Sequence, residues 1–294
     1  MSRPTALDPR LGARHTARRT ASLSAALAFA TLGAAGTARA QGTAEPSPGS
    51  FTGVVGAGVV TLPKYAGSDE YRVLPMPIVQ LEYRGRFYLG GSQNSVAPGI
   101  GAYLFRTPTL TVDVGLTGTE SRPESRGDAL AGMGKRSAAA FASTGVAYRL
   151  GIVQASAGVA VGLGSDNGSY GTIGVATELP IAPRWIAGVS TGLTVADARN
   201  MAYDFGVSGA QSDARQALLA AGDQRLSGID VGAYSPEAGL KEARIGGSLA
   251  RVLTPRSRIV LFAQGSRLSS EAARSPLVRS RTGIVSGIAL GYGF

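Results

Sequence analysis

Along most of the chain, large apolar residues recur at every second position. The run "LTVDVGLTG" sets Leu110, Val112, Val114 and Leu116 against Thr111, Asp113, Gly115 and Thr117. "VQASAGVAVGL" places Val153, Ala155, Ala157, Val159, Val161 and Leu163 opposite Gln154, Ser156, Gly158, Ala160 and Gly162, and "WIAGVSTGLTV" repeats the arrangement from Trp185 to Val195. A period of two sends successive side chains to opposite faces, so each run is a strand with one apolar face and one small or polar face. Each has about the 9 to 11 residues that a tilted strand needs to cross a bilayer.

The same pattern predicts strands near 51–62, 76–83, 86–91, 97–105, 109–118, 137–150, 152–163, 170–179, 185–196, 238–253, 257–268 and 282–294. That is about twelve, and an even count is the habit of single-chain membrane barrels. Short links ("YRGR", "FRTPT", "RLG", "LPIAPR", "LTPRSR") alternate with longer polar loops at 63–75, 92–96, 119–136, 164–169, 197–237 and 269–281. With the first strand starting on the periplasmic side, every short link is periplasmic and every long loop extracellular, the asymmetry such barrels display. The fold expected is therefore all-β: a transmembrane antiparallel β-barrel of about twelve strands. Within the longest loop, "SDARQALLAAGDQ" has the composition of a short helix.

The first forty residues stand outside this pattern. A basic stretch (Arg3, Arg10, Arg14, Arg18, Arg19), an Ala- and Leu-rich apolar segment from Ala21 to Gly36, and Ala38-Arg39-Ala40 form the layout of a cleavable secretory signal peptide, 1–40. A flexible lead-in, 41–50, precedes the barrel, 51–294. Cleavage removes six of the 29 basic residues and one of the 19 acidic ones, leaving 23 against 18. That modest excess, with no concentrated basic stripe in an exported chain, argues against nucleic acid as a partner. No stretch past the signal peptide has the roughly 20 apolar residues of a membrane-spanning helix, so strands must do the crossing.

Cysteine is absent and the single histidine, His15, lies in the signal peptide. A chain without either cannot assemble a Ser-His-Asp or Cys-His nucleophile, or a thiolate or imidazole metal site. The expectation is a non-enzyme without catalytic, cofactor or metal residues. The best carboxylate cluster, "ESRPESRGD" (Glu120, Glu124 and Asp128 with Arg122 and Arg126), reads as a solvated outer loop of alternating charge. "GLGSDNGS", Gly162 to Ser169, lacks the Lys of a phosphate loop and the spacing of an EF-hand, and reads as a turn.

Two groups of charge remain. Arg84, Arg86, Arg106, Arg184, Arg256 and Arg258 flank the short links, where they either snorkel to the membrane interface or form a basic rim for a periplasmic partner. Tyr83, Phe87, Phe105, Tyr148, Trp185 and Phe294 lie at the same level as an aromatic girdle. Glu82, Asp113, Glu178, Glu242 and Arg244 fall on inward parity, either as a pore lining or as an internally paired plug. Isolated charges in a narrow lumen need partners, which favours pairing.

Resemblance to a known family begins at "PKYAGSDEYRVLPMPIVQLEYRGRFYL", Pro63 to Leu89. It returns at "DARNMAYDFGVS" (Asp197 to Ser208), "AYSPEAGLKEA" (Ala233 to Ala243) and "SPLV" (Ser275 to Val278), covering nearly all of the mature chain. These segments resemble the MipA/OmpV family of MltA-interacting outer-membrane proteins. Asp204, before Phe205-Gly206, departs from the neutral or aromatic residue the family pattern has there. The resemblance implies an outer-membrane barrel among lipid and lipopolysaccharide, acting as a scaffold between a lytic transglycosylase and a murein synthase. Other members imply a porin-like channel for small solutes, or an adhesin working through its extracellular loops, here 197–237. The terminal residues Ile288, Leu290, Tyr292 and Phe294 resemble the C-terminal signal read by barrel-assembly machinery.

Overall fold

The computed structural model describes residues 51–91 and 97–294. The expected signal peptide and lead-in lie outside the described residues. Twelve strands follow in order: β1 (Phe51–Pro63), β2 (Tyr71–Tyr83), β3 (Phe87–Gly90), β4 (Gly99–Arg106), β5 (Leu110–Thr119), β6 (Ala139–Leu150), β7 (Val153–Gly162), β8 (Ser169–Ala182), β9 (Trp185–Ala196), β10 (Gly239–Thr254), β11 (Ser257–Leu268) and β12 (Thr282–Gly293). Each pairs antiparallel with its neighbours in sequence, and β12 closes the barrel on β1 with Val54 opposite Gly293 and Thr61 opposite Ser286. Closure removes the exposed edge that an alternating terminal strand would otherwise present.

The strand that departs most from its sequence-based span is β2. β2 starts at Tyr71 instead of 76, and the loop before it shrinks accordingly. Pro75 hides this extension, because proline normally marks the end of a strand. Gly53 exchanges both backbone bonds with Phe294, so alternate residues of β1 from Gly53 onward direct their polar groups towards β12. Pro75 and Pro77 oppose two of them, Val59 and Ala57, and therefore aim their missing N–H groups at the other edge of β2. That edge pairs with β3 only from Leu81 to Tyr83, so neither proline breaks a described ladder bond.

Apolar side chains on the outer face are left bare: Val59, Ile173, Val189, Leu261, Ile288 and Leu290 are all exposed. A band of this kind around a closed barrel fits hydrocarbon as solvent. The inner face is divided. Val60, Leu62, Met76, Ile78, Val260, Phe262 and Ala289 pack together on the wall made by β1, β2, β11 and β12. The glycines of the terminal strand make this packing possible, since a Cβ at Gly287 would sit 2.7 Å from the Phe262 ring. The bare face of β12 is thus filled by its neighbours. Elsewhere the inner wall is polar or small, with Thr111, Asp113, Ser156, Thr172 and Ser190 among its residues.

Four long loops fold over one end of the barrel as a lid. Here lie α1 (Ala198–Phe205), α2 (Gly209–Ala220) and the short α3 (Ser270–Ala273). The predicted helical segment of the longest loop is α2, opened by a capping box in which the Ser208 hydroxyl accepts from the Gln211 backbone and the Gln211 side chain accepts from the Ser208 backbone. Two buried clusters bind the loops to one another and to the strands: Tyr65, Leu130, Val207 and Leu277, and Met201, Phe205, Leu268 and Ala272.

Candidate functional site

The two ends of the barrel carry different chemistry. At the turn end, five tight connections present arginine. Arg84 and Gly85 have φ of 54° and 60°, the paired left-handed geometry of a type I′ hairpin. In the next such case Pro183 precedes Arg184 at φ 69°, as in a type II turn. Both positions favour Gly or Asn, and an arginine there costs roughly 1–2 kcal/mol. Both side chains are exposed, as are those of Arg86 and Arg256. The Arg256 guanidinium donates to the Tyr292 hydroxyl at 3.4 Å, which raises its pKa.

The other two rim candidates turn inward. Arg106 donates to Glu82 at 2.8 Å and lies 4.5 Å from the Tyr103 ring. Arg258 shares the inward parity of Val260 and Phe262 and faces Glu178. Sequence placed Arg258 on the rim because it follows a short turn; its parity along β11 sends it into the lumen instead. Of the proposed lumen carboxylates, Glu82 therefore pairs with an arginine of the turn end, and Glu178 lies in the field of others. Glu82 also accepts from the Tyr103 hydroxyl at 2.8 Å, and Glu178 interacts with Arg149 as well as Arg258. Glu242 and Arg244 pair with each other at 3.3 Å. Asp113 is buried within the wall. Glu82 with Arg106 near the turn end and Glu242 with Arg244 near the loop end thus pair at two levels instead of forming one continuous ring. Of the girdle aromatics, Phe87, Phe105, Tyr148 and Phe294 are exposed, Tyr83 stacks on Phe51 at 4.8 Å, and Arg251 covers Trp185 at 5.4 Å.

At the lid, the group that sequence reasoning left aside becomes central. Asp204 forms ion pairs with Arg136 and, at 2.5 Å, with Lys241, while Arg122 donates to its backbone carbonyl at 2.9 Å. Burial alone would raise its pKa, but Lys241 and Arg136, helped by Arg122, hold the carboxyl well below the usual carboxylate range. Lys241 reaches it because β10 bulges between Leu240 and Glu242, turning two consecutive side chains inward. Burial, with Arg136 nearby, lowers Arg122 to about 10, and burial raises Tyr65 beneath it to about 12. The acidic loop expected to be solvated is drawn into the same structure: Glu120 sits between Arg72 and Arg126, each at 2.5 Å. Its alternating charges serve pairing across loops, which sequence cannot distinguish from solvation. Arg215, fully buried, donates to the carbonyls of Ala129, Ala131 and Asp230 at 2.6, 3.2 and 3.0 Å and so ties α2 to two other segments.

Among the described residues, no group of three or more His, Cys, Asp or Glu is placed to hold a metal ion. Between the β4–β5 turn and the ends of β6 and β7 lies a cavity of about 170 Å³, lined by Arg106, Thr107, Thr109, Thr111, Arg149 and Gln154. Sequence reasoning missed it, since Arg149 and Gln154 lie on separate strands and converge only through register.

Among solved structures, the chain is similar to an anion-selective porin from Comamonas acidovorans (8% identity, 84% of this chain and 99% of that one, TM-score 0.37). It is also similar to OmpT, an outer membrane protein of Vibrio cholerae, solved with loop L8 deleted (7%, 84% and 100%, TM-score 0.38), and to OprB of Pseudomonas putida (10%, 75% and 59%, TM-score 0.37). Likeness at this level says nothing of function. No curated protein matches the chain significantly. The family described as MltA-interacting protein MipA matches residues 55–294, nearly the whole of the described barrel, and the chain belongs to that family.

Proposed function

We propose that the protein is a non-enzymatic anchor in the outer membrane, holding a murein-remodelling enzyme such as a lytic transglycosylase at its periplasmic, turn-bearing end. The carrying observation is the pair of arginines at left-handed turn positions, Arg84 and Arg184, where backbone geometry alone would favour other residues. Strain kept at exposed positions points to use of the side chain. The family description, which names interaction with MltA, supports the same partner class. Glu82 and Glu178 are engaged within the lumen, leaving the exposed arginines of the turns to meet an acidic surface.

An apolar inner wall and a lid closed by ion pairs weigh against a permanently open channel. The test is co-purification of the mature barrel with a purified lytic transglycosylase in detergent. Reversing Arg84, Arg184 and Arg256 to Glu should reduce capture at least tenfold at low salt, and capture unchanged by the triple reversal would overturn the rim as the docking surface. Assembly through the terminal signal is tested separately: deleting Phe294 should lower the heat-modifiable, folded fraction recovered from membranes.

A further inference from the structure

We infer that the cavity between the β4–β5 turn and the ends of β6 and β7 binds a carboxylate group from the periplasmic side. Its walls carry two guanidinium groups from different strands, Arg106 on β4 and Arg149 on β6, with Thr109, Thr111 and Gln154 between them. A guanidinium presents five donors in a planar fork that matches a carboxylate, and two of them around one cavity make an anion the natural occupant. The rigidity needed for recognition is present. Arg149 is fixed through its backbone N–H to the Thr109 carbonyl at 2.7 Å and through its side chain to the Gln154 oxygen at 2.9 Å. Arg106 is held against the Tyr103 ring by its bond to Glu82. The Thr107 hydroxyl caps the turn by accepting from Leu110 N–H at 2.9 Å, so the floor is ordered as well.

Charge and size narrow the ligand. Arg84, Arg86, Arg184, Arg251, Arg256 and Arg258 belong to the same end, where the acidic side chains are Glu82, Glu178 and the buried Asp113, so the surplus of arginine gives an approaching anion a favourable field. A volume of about 170 Å³ is below the roughly 300–1,000 Å³ of a pocket that encloses a whole drug-sized molecule. The site therefore takes one end group, the terminal carboxylate of a peptide or acylated amino acid, while the remainder stays in the periplasm. Such a site is separate from the exposed turns proposed to dock a protein, and it stands or falls independently of that reading.

Calorimetric titration of the folded, full-length mature barrel in detergent at low salt, with N-acetylalanine, its amide and inorganic phosphate, tests this. N-acetylalanine should bind and the amide should bind at least tenfold more weakly. Arg149→Gln should weaken binding at least fivefold. Thr111→Gln, which fills the cavity but leaves both arginines, should do the same, with heat-modifiable gel mobility verifying that each variant is folded. Equal heats for the acid and its amide, or binding unaffected by Thr111→Gln in a folded barrel, would overturn the site. Phosphate binding more tightly than N-acetylalanine would overturn the carboxylate assignment in favour of a phosphate-bearing ligand.

Discussion

The two ends of this barrel use charge in opposite ways. Across the loop-end segments 64–72, 120–138, 163–169, 197–244 and 267–281, Lys and Arg number 15 and Asp and Glu 14. Many of those charges pair with one another: Asp204 with Arg136 and Lys241, Glu120 with Arg72 and Arg126, Glu271 with Arg274. At the turn end, Arg84, Arg86, Arg106, Arg149, Arg184, Arg251, Arg256 and Arg258 outnumber the acidic residues Glu82, Asp113 and Glu178. One end is neutralised and closed; the other is left with a surplus that an outside partner can meet. Charge is structural above and available below, and the difference can be tested by treating the two ends alike.

The largest effect is expected at Asp204. Replacing it with Asn keeps its shape but leaves Lys241 and Arg136 facing each other without an anion. With its side chain 19% exposed, the loss should be roughly 3 kcal/mol, in the lower part of the range for breaking buried pairs. Hydrogen exchange over 197–237 should then report protection about 100-fold lower, since each 1.36 kcal/mol is tenfold. A lid as protected as the wild type would mean that its apolar clusters, not its charges, hold it. Acid should mimic the substitution. A carboxyl whose folded pKa is depressed contributes stability above its unfolded value, near 3.9, and loses it as pH falls through the lower folded value. Between pH 5 and pH 3 the wild-type lid should therefore lose more stability than the Asp204→Asn lid, whose contribution there is already gone.

A second effect at the same end follows from Arg215. Arg215→Met keeps much of the side chain's length but leaves the carbonyls of Ala129, Ala131 and Asp230 without their shared donor. With a penalty of about 1–3 kcal/mol for unsatisfied buried groups, exchange over 128–133 and 209–230 should quicken together. Loss of protection in one segment alone would show that Arg215 does not couple them.

How legible these features were depends on the range of the interaction that creates them. Strand identity, parity and the closing of β12 on β1 follow from alternation within about ten residues, and the sequence carries that pattern plainly from Leu110 to Leu116 or from Ile284 to Phe294. The start of β2 was hidden, because Pro75 is tolerable only where the far edge of the strand lacks a ladder, a fact belonging to β3. Arg258 was misplaced for a related reason: nearness to a turn was weighed above parity. The lid was the least visible. Asp204 finds Arg136 and Lys241 at sequence separations of 68 and 37 residues, and no local pattern distinguishes such a pair from solvated charge.

Between the two ends, the packed inner wall should respond at intermediate size. Gly287→Val puts a branched side chain where the Phe262 ring and the Val59 carbonyl, 2.5 Å from a Cβ, already lie. Overpacking of this kind costs about 1–3 kcal/mol, and the barrel's unfolding midpoint in urea should fall accordingly. An unchanged midpoint would mean that the wall is loose enough to be a passage.

The smallest effect has the opposite sign. Arg84→Asn and Arg184→Asn place a residue that tolerates left-handed backbone where arginine does not rest easily. Folding should be stabilised by up to about 1 kcal/mol per site, because part of the roughly 1–2 kcal/mol strain is relieved. At the same time the surplus charge of the turn end falls by two, so capture of an acidic partner should weaken and its dependence on ionic strength should flatten. At the loop end, losing a charge costs stability; at the turn end, losing one should improve stability and impair binding. A double variant that was both less stable and unaltered in capture would reverse the assignment, making these arginines part of the fold instead of its offered surface.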